Sequence, residues 1–68
     1  MSFENFEVYE TVKVLEDAPN EEIKKGDIGT IIMVYDEPNT AYEVEFVDEK
    51  GRVHYQGVYL SNQITKLK

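Results

Sequence analysis

The chain contains no cysteine and no tryptophan, and it has a single histidine in 68 residues. Without cysteine there can be no disulfide staple, no thiolate zinc site, no iron–sulfur cluster and no thiol nucleophile. Long apolar runs are missing too, because the longest, residues 31–35, is far short of the roughly 20 residues of a membrane span. The N-terminus lacks the basic and apolar regions of a signal peptide, so we expect a cytoplasmic protein away from the membrane.

Basic residues are also few, with seven against fourteen acidic ones and a net charge of −7. Such a chain repels a phosphate backbone, so we expect no direct binding of nucleic acid. Residues 1–49 contain all fourteen acids and three lysines, whereas residues 50–68 contain four basic residues and no acid. Two interpretations remain open: a coat that keeps a small protein soluble, or a docking surface for a basic protein partner.

The length of 68 residues and mass of 7.9 kDa suit one small domain. A hydrophobic fraction of 41% with 12% aromatic residues is enough to form a core. We therefore expect residues 1–68 to form a single domain, with residues 1–8 as a frayed N-terminal extension. Phe3, Phe6 and Val8 are candidates to close one end of the core.

Alternating or β-branched sequence predicts five short strands, separated by residues that form turns. A long first loop containing Pro19 has room for one helical turn near Ala18–Ile23, and Ser61–Gln63 predicts a 3₁₀ turn before the last strand. Five strands in so short a chain must close or nearly close, which predicts an all-β, five-stranded SH3-like barrel. The predicted strands are Tyr9–Leu15, Thr30–Tyr35, Tyr42–Val47, residues 53–60 and Ile64–Leu67.

The third and fourth strands are predicted to form a hairpin through the turn at residues 48–51. If that turn is tight, Phe46 faces Val53 and Glu45 faces His54, forming a charge pair across the strands. The same register places Val44 opposite Tyr55 and Glu43 opposite Gln56. Valine and phenylalanine then point inwards and both glutamates point outwards.

The four glycines are predicted to serve chain geometry. Gly26 and Gly29 flank the start of the second strand, where the chain turns sharply and then approaches another backbone, so Gly29 is expected to be closed to larger residues. Gly51 ends the hairpin turn, and Gly57 predicts a bulge or bend. Asp27 is interpreted as a turn former, because the phosphate-binding loop pattern is absent and one carboxylate does not make a metal site.

Three segments carry a family resemblance: E-T-V-K-V-L-E-D at residues 10–17, K-G-D-I-G-T-I at 25–31 and Y-E-V-E-F-V-D at 42–48. Together they resemble a bacterial family of short proteins classed as a domain of unknown function. Because some members are encoded beside toxins, the resemblance implies an antitoxin or immunity role. The G-D-x-G-T block also resembles KOW modules and SH3-like accessory proteins of electron-transfer complexes. KOW modules are basic and this chain is acidic, so RNA binding is not implied.

No residue is assigned to catalysis, to a cofactor or to a metal, since His54 lacks a nucleophile signature and a small barrel has little room for a pocket. We expect a non-enzymatic, acidic interaction module that neutralises a basic toxin or nuclease. The alternative is a structural accessory domain of a larger enzyme or electron-transfer complex. Exposed tyrosine beside carboxylate suits a basic surface, although ordinary barrel packing would also explain the tyrosines. The candidate partner-binding residues are Tyr35, Asp36, Glu37, Glu43, Glu45 and Tyr59.

Overall fold

The computed structural model describes residues 5–17 and 23–67, which form one antiparallel sheet of five strands. Their order across the sheet is β4-β3-β2-β1-β5, so the second, third and fourth strands form a meander and the last returns beside the first. The all-β class and the five strands are confirmed. No pairing in the described part of the chain joins β4 to β5, and closure of the barrel stays a prediction. The strands are β1 (Thr11–Val14), β2 (Ile28–Tyr35), β3 (Ala41–Val47), β4 (Val53–Tyr59) and β5 (Ile64–Lys66).

One face of every strand contributes to a single hydrophobic cluster. A flat sheet without a second layer would leave that face in water, so the full burial of its side chains requires the sheet to curve around them. Ile23, from the segment that precedes β2, is buried in the same cluster. The helical turn expected near Ala18–Ile23 falls largely on residues 18–22, outside the described residues. The cluster contains Phe6, Val12, Val14, Ile23, Ile31, Tyr42, Val44, Phe46, Tyr59 and Ile64.

The segment before β1 closes one end of this core only in part. Phe6 is buried and meets the Tyr42 ring edge-on, with 5.2 Å between ring centroids. Val8 is exposed, so its predicted place in the core is wrong. Tyr9 has a positive φ of 74° and an 80% exposed side chain, and for that reason β1 begins at Thr11 and not at Tyr9. Phe3 lies outside the described residues.

A bulge in β2 changes which side chains point outwards. Ile31 pairs with Val44 but Met33 pairs with Glu43, so Ile32 is an extra residue in the ladder. Because side chains alternate along a strand, one inserted residue reverses the faces beyond it. Met33 and Tyr35 are consequently exposed, although Ile31, two residues earlier, is fully buried.

The register predicted for the β3–β4 hairpin is wrong by two residues. Phe46 pairs with Tyr55 and Glu45 with Gln56, where the prediction had Val53 and His54. One residue of the shift comes from the turn, which contains three residues, 49–51, where the prediction allowed two. A hydrogen bond from the Asp48 N–H to the Arg52 carbonyl (2.8 Å) closes this turn, and Gly51 has a φ of +80°. The other comes from a bulge: Val47 pairs with Val53, which leaves His54 as the extra residue. A shift of two preserves the faces and changes only the partners.

Two predicted glycine roles have different outcomes. An ideal Cβ on Gly29 would lie 2.6 Å from Val44 Cγ1 and 2.8 Å from Phe46 Cε1, so the position is closed to larger residues as predicted. Gly57 is not a bulge, because it pairs regularly with Val44. Instead, the Tyr55 ring covers Gly57, where a Cβ would lie 3.0 Å from Tyr55 Cε2.

Turns at both ends of the sheet follow the sequence signals. Gly26 has a φ of +95°, and its N–H donates to the Val14 carbonyl at 2.8 Å. Asp27 Oδ2 accepts the Lys24 N–H at 3.0 Å, which confirms its role as a turn former. Before β5, the Gln63 N–H donates to the Leu60 carbonyl at 2.9 Å, which closes the turn expected at residues 61–63.

Candidate protein-interaction face

The outer surface of β2, β3 and β4 combines carboxylates with exposed apolar side chains. Two cross-strand rows organise it. In one row Met33, Glu43 and Val58 lie side by side, and in the next Glu45 pairs with Gln56. Met33 is 50% exposed and Val58 57% exposed, and they flank the half-buried Glu43. We call this surface the outer face and define it by Met33, Tyr35, Glu43, Glu45, Gln56 and Val58.

Glu43 is held by two hydrogen bonds at the centre of the outer face. The Tyr35 hydroxyl donates to Glu43 Oε1 at 2.5 Å, and the Gln56 side-chain amide donates to Oε2 at 2.9 Å. Gln56 reaches Glu43 diagonally, because the residue directly opposite Glu43 in β4 is Val58. The carboxylate is therefore fixed in orientation, and each oxygen keeps a further lone pair for a donor from a partner.

These hydrogen bonds shift two titrations in opposite directions. The pKa of Glu43 lies below its ordinary value of 4.5, first because Tyr35 donates to it and second because Gln56 does, while partial desolvation opposes the shift. The pKa of Tyr35 lies above 10.0, chiefly because its hydroxyl donates to Glu43, with desolvation and the Glu43 charge adding to the effect. Glu43 therefore stays ionised over the whole physiological range, which suits the recognition of a cation.

The lowered pKa predicts a pH dependence of stability. A carboxylate with a pKa that is lower in the folded than in the unfolded state stabilises the fold above its ordinary pKa, and this contribution is lost as the pH falls through the lowered value.

Tyr35→Phe removes the first donor, so the pKa of Glu43 should rise towards 4.5. The measurement is an NMR titration of the Glu43 carboxyl, with Tyr9→Phe as control because Tyr9 is exposed on another segment. An unchanged Glu43 titration in Tyr35→Phe would contradict the network.

The structure brings together only some of the predicted partner-binding residues. Tyr35, Glu43 and Glu45 share the outer face, and Asp36 and Glu37 are exposed in the loop that follows Tyr35. Tyr59 does not belong to it: it is 8% exposed and packs edge-on against Phe46, with 6.0 Å between ring centroids. Its inward position follows from the register, which pairs it with the buried Tyr42.

Sequence reasoning missed Met33 and Val58 as members of the outer face. Met33 lies in an apolar run, and only the bulge at Ile32 turns it outwards. Val58 has a signal in the sequence, because it alternates with the inward Tyr59 along β4. The sequence predicts that Gln56 lies directly opposite Glu43. The two side chains do form a hydrogen bond, but Gln56 lies opposite Glu45 and reaches Glu43 diagonally.

The only histidine lies away from Glu45. His54 is exposed in the β4 bulge, and the predicted charge pair with Glu45 is wrong because Gln56 occupies that position. Asp48 organises the hairpin turn instead, accepting the Lys50 N–H at 2.9 Å and the Arg52 N–H at 3.0 Å. The pKa of Asp48 is lowered, first by the hydrogen bond from the Arg52 backbone. Within residues 5–17 and 23–67, no three histidine or carboxylate side chains converge as a metal site would require.

The fold and the outer face define a small all-β domain of five antiparallel strands with an acidic and apolar sheet surface. The chain belongs to the family described as a domain of unknown function (DUF4926), whose profile matches residues 8–63. Comparison with curated proteins and with solved structures found no match. The residues that the structure describes include no helix long and apolar enough to cross a membrane.

Proposed function

We propose that this chain is a non-enzymatic, cytoplasmic interaction module that binds a basic protein partner through the outer face. The observation that carries the proposal is the Glu43 carboxylate, held by Tyr35 and Gln56 between the exposed side chains of Met33 and Val58. Exposed apolar side chains that lie together and are bordered by polar groups mark interaction sites, and a carboxylate with fixed orientation adds a directed acceptor for a cation.

Binding would proceed in two stages. The net charge of −7 attracts a basic protein over distances of about a Debye length, which raises the rate of encounter. Once in contact, Met33, Val58 and the Tyr35 ring bury apolar area, while Glu43 and Glu45 accept hydrogen bonds from lysine or arginine. Complementary charge thus sets the association rate and the choice of partner, and the apolar contacts slow dissociation.

The specific role that we propose is neutralisation of a basic toxin or nuclease, as an antitoxin or immunity protein. A basic toxin or nuclease that acts on an anionic substrate binds it through a basic surface. An acidic protein that occupies this surface competes with the substrate directly. Inhibition of this kind requires binding and no catalysis. The carboxylate, amide, hydroxyl and apolar side chains of the outer face are groups that can bind a partner.

The test is reversal of both outer-face glutamates. In Glu43→Lys/Glu45→Lys, association with the basic protein that co-purifies with the chain should slow by at least about tenfold at low salt, and the difference should shrink at about 1 M salt. The matched control is Glu7→Lys/Glu16→Lys, which changes the net charge equally at two exposed positions off the outer face. Glu45→Lys alone leaves the bonds to Glu43 in place and guards against loss of fold.

If both double variants slow association equally, the acidic residues act only through net charge and the outer face is not the docking site. If neither affects binding at any salt concentration, the acidic surface is a solubilising coat and the proposal fails. Circular dichroism of each variant establishes that the sheet is intact before binding is compared.

A second candidate is the structural accessory domain of a larger enzyme complex, and one observation favours it. Strand β4 pairs with β3 alone in the described part of the chain, and an open edge can add to the sheet of another subunit. Salt separates the two candidates: binding that persists unchanged from low to high salt favours the accessory domain, and binding that weakens steeply favours recognition of a basic partner.

A further inference from the structure

Strand β4 has one edge that no strand pairs within residues 5–17 and 23–67, and this open edge lacks the features that usually protect a sheet. The strand is seven residues long, and Val53–Tyr59 contains no proline, lysine, arginine or carboxylate. The bulge at His54 disrupts pairing only at its first end. The opposite edge, β5, is three residues long and includes Lys66, and both shortness and lysine discourage pairing. Of the two edges, β4 is the one able to accept another strand.

The direction of the main-chain groups in β4 follows from hydrogen bonds elsewhere in the sheet. The Ile31 N–H donates to the Glu10 carbonyl at 3.0 Å, and the Ile31 carbonyl accepts the Tyr9 N–H at 2.6 Å, so both groups of Ile31 point away from β3. The main-chain N–H and carbonyl groups of successive residues point to opposite sides of a strand, so those of Thr30 point towards β3, where Thr30 pairs with Glu45. The main-chain groups of Glu45 therefore point towards β2 and bond with Thr30.

Gln56 lies opposite Glu45, so its N–H and carbonyl point away from β3 and towards the open edge. Val58, two residues further and opposite Glu43, has the same direction. These two residues present two donors and two acceptors in the spacing that an added strand requires. Beyond them the edge ends at Leu60, whose N–H donates to the Gln63 side chain at 2.8 Å.

An added strand would also lie within reach of the glutamates. Its outward side chains would neighbour Gln56 and Val58, and Glu45 and Glu43 lie one strand further in. Two strand spacings amount to about 10 Å between Cα atoms, which a long basic side chain and a glutamate can bridge together. Val58 is short and exposed, so it offers an apolar surface for the stem of a lysine or arginine that reaches Glu43.

We infer that the β4 edge binds an extended segment of the basic partner as a sixth strand, with lysine or arginine at alternate positions directed to Glu43 and Glu45. This inference rests on the proposed function, because charge complementarity to the outer face selects a basic segment. It adds three details: the ligand is an extended strand, the main-chain groups of Gln56 and Val58 hold it, and its basic side chains occupy alternate positions so that they face the glutamates.

The experiment uses a short synthetic peptide in which arginine alternates with threonine, and a counterpart with glutamate in place of arginine. Amide hydrogen exchange of the whole chain is followed by NMR with and without each peptide. The arginine peptide should slow exchange at the Gln56 and Val58 amides at least about tenfold, because both amides become hydrogen-bonded. The glutamate peptide should leave exchange unchanged.

Two modifications separate edge pairing from simple attraction of charge. Methylation of alternate peptide nitrogens removes the donors of one peptide edge and keeps every charge, and it should weaken binding by about tenfold or more. On the protein side, Val58→Pro removes an edge donor that the β3 ladder does not use, while Val58→Thr keeps it. Both variants lose the apolar contact of the Val58 side chain, but only Val58→Pro also loses the donor. Val58→Pro should therefore weaken binding at least about tenfold more than Val58→Thr does. If Val58→Pro fails to fold, the methylated peptide still decides the question.

The outcomes also distinguish this inference from the proposed function. Salt-sensitive binding that depends on Glu45, with unchanged exchange at Gln56 and Val58 and equal affinity for the methylated peptide, overturns the sixth strand and leaves the basic partner standing. Equal binding of both peptides, or binding of neither, overturns the basic segment itself. Slow exchange at these amides in the free protein, together with a dimer mass by light scattering, would assign the edge to a second copy of the chain and overturn the inference.

Discussion

Phe46→Ala is expected to unfold the domain. Phe46 is 1% exposed and contacts two other aromatic residues, with ring centroids of Tyr55 and Tyr59 each at 6.0 Å. Truncating a buried phenylalanine to alanine costs ~3–5 kcal/mol, because it removes buried apolar area and leaves a cavity. A single core in a chain this short supplies at most ~3–5 kcal/mol in total. The loss is therefore as large as the stability itself.

Urea denaturation followed by circular dichroism measures this effect. Val47→Ala is the matched control, because Val47 is the next residue along β3 but points outwards and is exposed, so its truncation should change stability by less than about 0.5 kcal/mol. A Phe46→Ala protein that unfolds cooperatively at the wild-type midpoint would show that the core is not centred on this ring.

The second large effect is expected from Gly29→Val. The φ of Gly29 is not in the left-handed region, so the constraint is one of space: a Cβ would approach Val44 Cγ1 to 2.6 Å and the Phe46 ring to 2.8 Å. Real Cβ contacts are almost never that short, and both neighbours are fully buried. Insertion of extra atoms into a packed core costs ~1–3 kcal/mol, and valine adds two methyl groups beyond the Cβ. We expect a loss at the upper end of that range.

A double-mutant cycle identifies the cause of that loss. Gly29→Ala and Val44→Ala should each destabilise, the first by crowding and the second by leaving a cavity. Combined, they should cost less than their sum by about 0.5–3 kcal/mol, since the new methyl group occupies part of the space that Val44 vacates. Simple additivity would mean that Gly29 is required for its backbone and not for its lack of a side chain. Thermal or urea unfolding of the four proteins supplies the values.

The two glycines that frame the start of β2 show how similar sequence signals arise from different causes. Gly26 has a φ of +95° and open space around its Cβ position, so its role is conformational. Gly29 has no such backbone requirement and is needed for packing. Their spacing at the start of a strand was enough to predict that both are structural. Only the folded structure distinguishes the two reasons, through the φ of Gly26 and through the side chains that a strand distant in sequence places beside Gly29.

The two glutamates of the outer face could be inferred from alternation along β3 alone. The alternation predicts Val44 and Phe46 on the inner face and Glu43 and Glu45 on the outer face, and the structure confirms the face of each residue. The two glutamates are half-buried, however, and not fully exposed. The reason for their partial burial lies in other strands, where Met33, Tyr35, Gln56 and Val58 surround them. A strand's own pattern predicts its faces, but its neighbours decide how deeply each side chain is covered.

The sequence by itself determined the all-β class, the five strands and the inward residues of β3, because these depend on local alternation and turn chemistry. It also marked Gly29 as closed to larger residues, but the Val44 and Phe46 side chains that close the position come from a strand distant in sequence. The tertiary structure alone decided the bulges at Ile32 and His54 and the edge of β4 that is left open among the described strands. A bulge relieves a mismatch between two strands that curve around a shared core, and neither strand's sequence contains that information. The bulge at Ile32 places Met33 and Tyr35 beside Glu43, and thereby assembles the outer face.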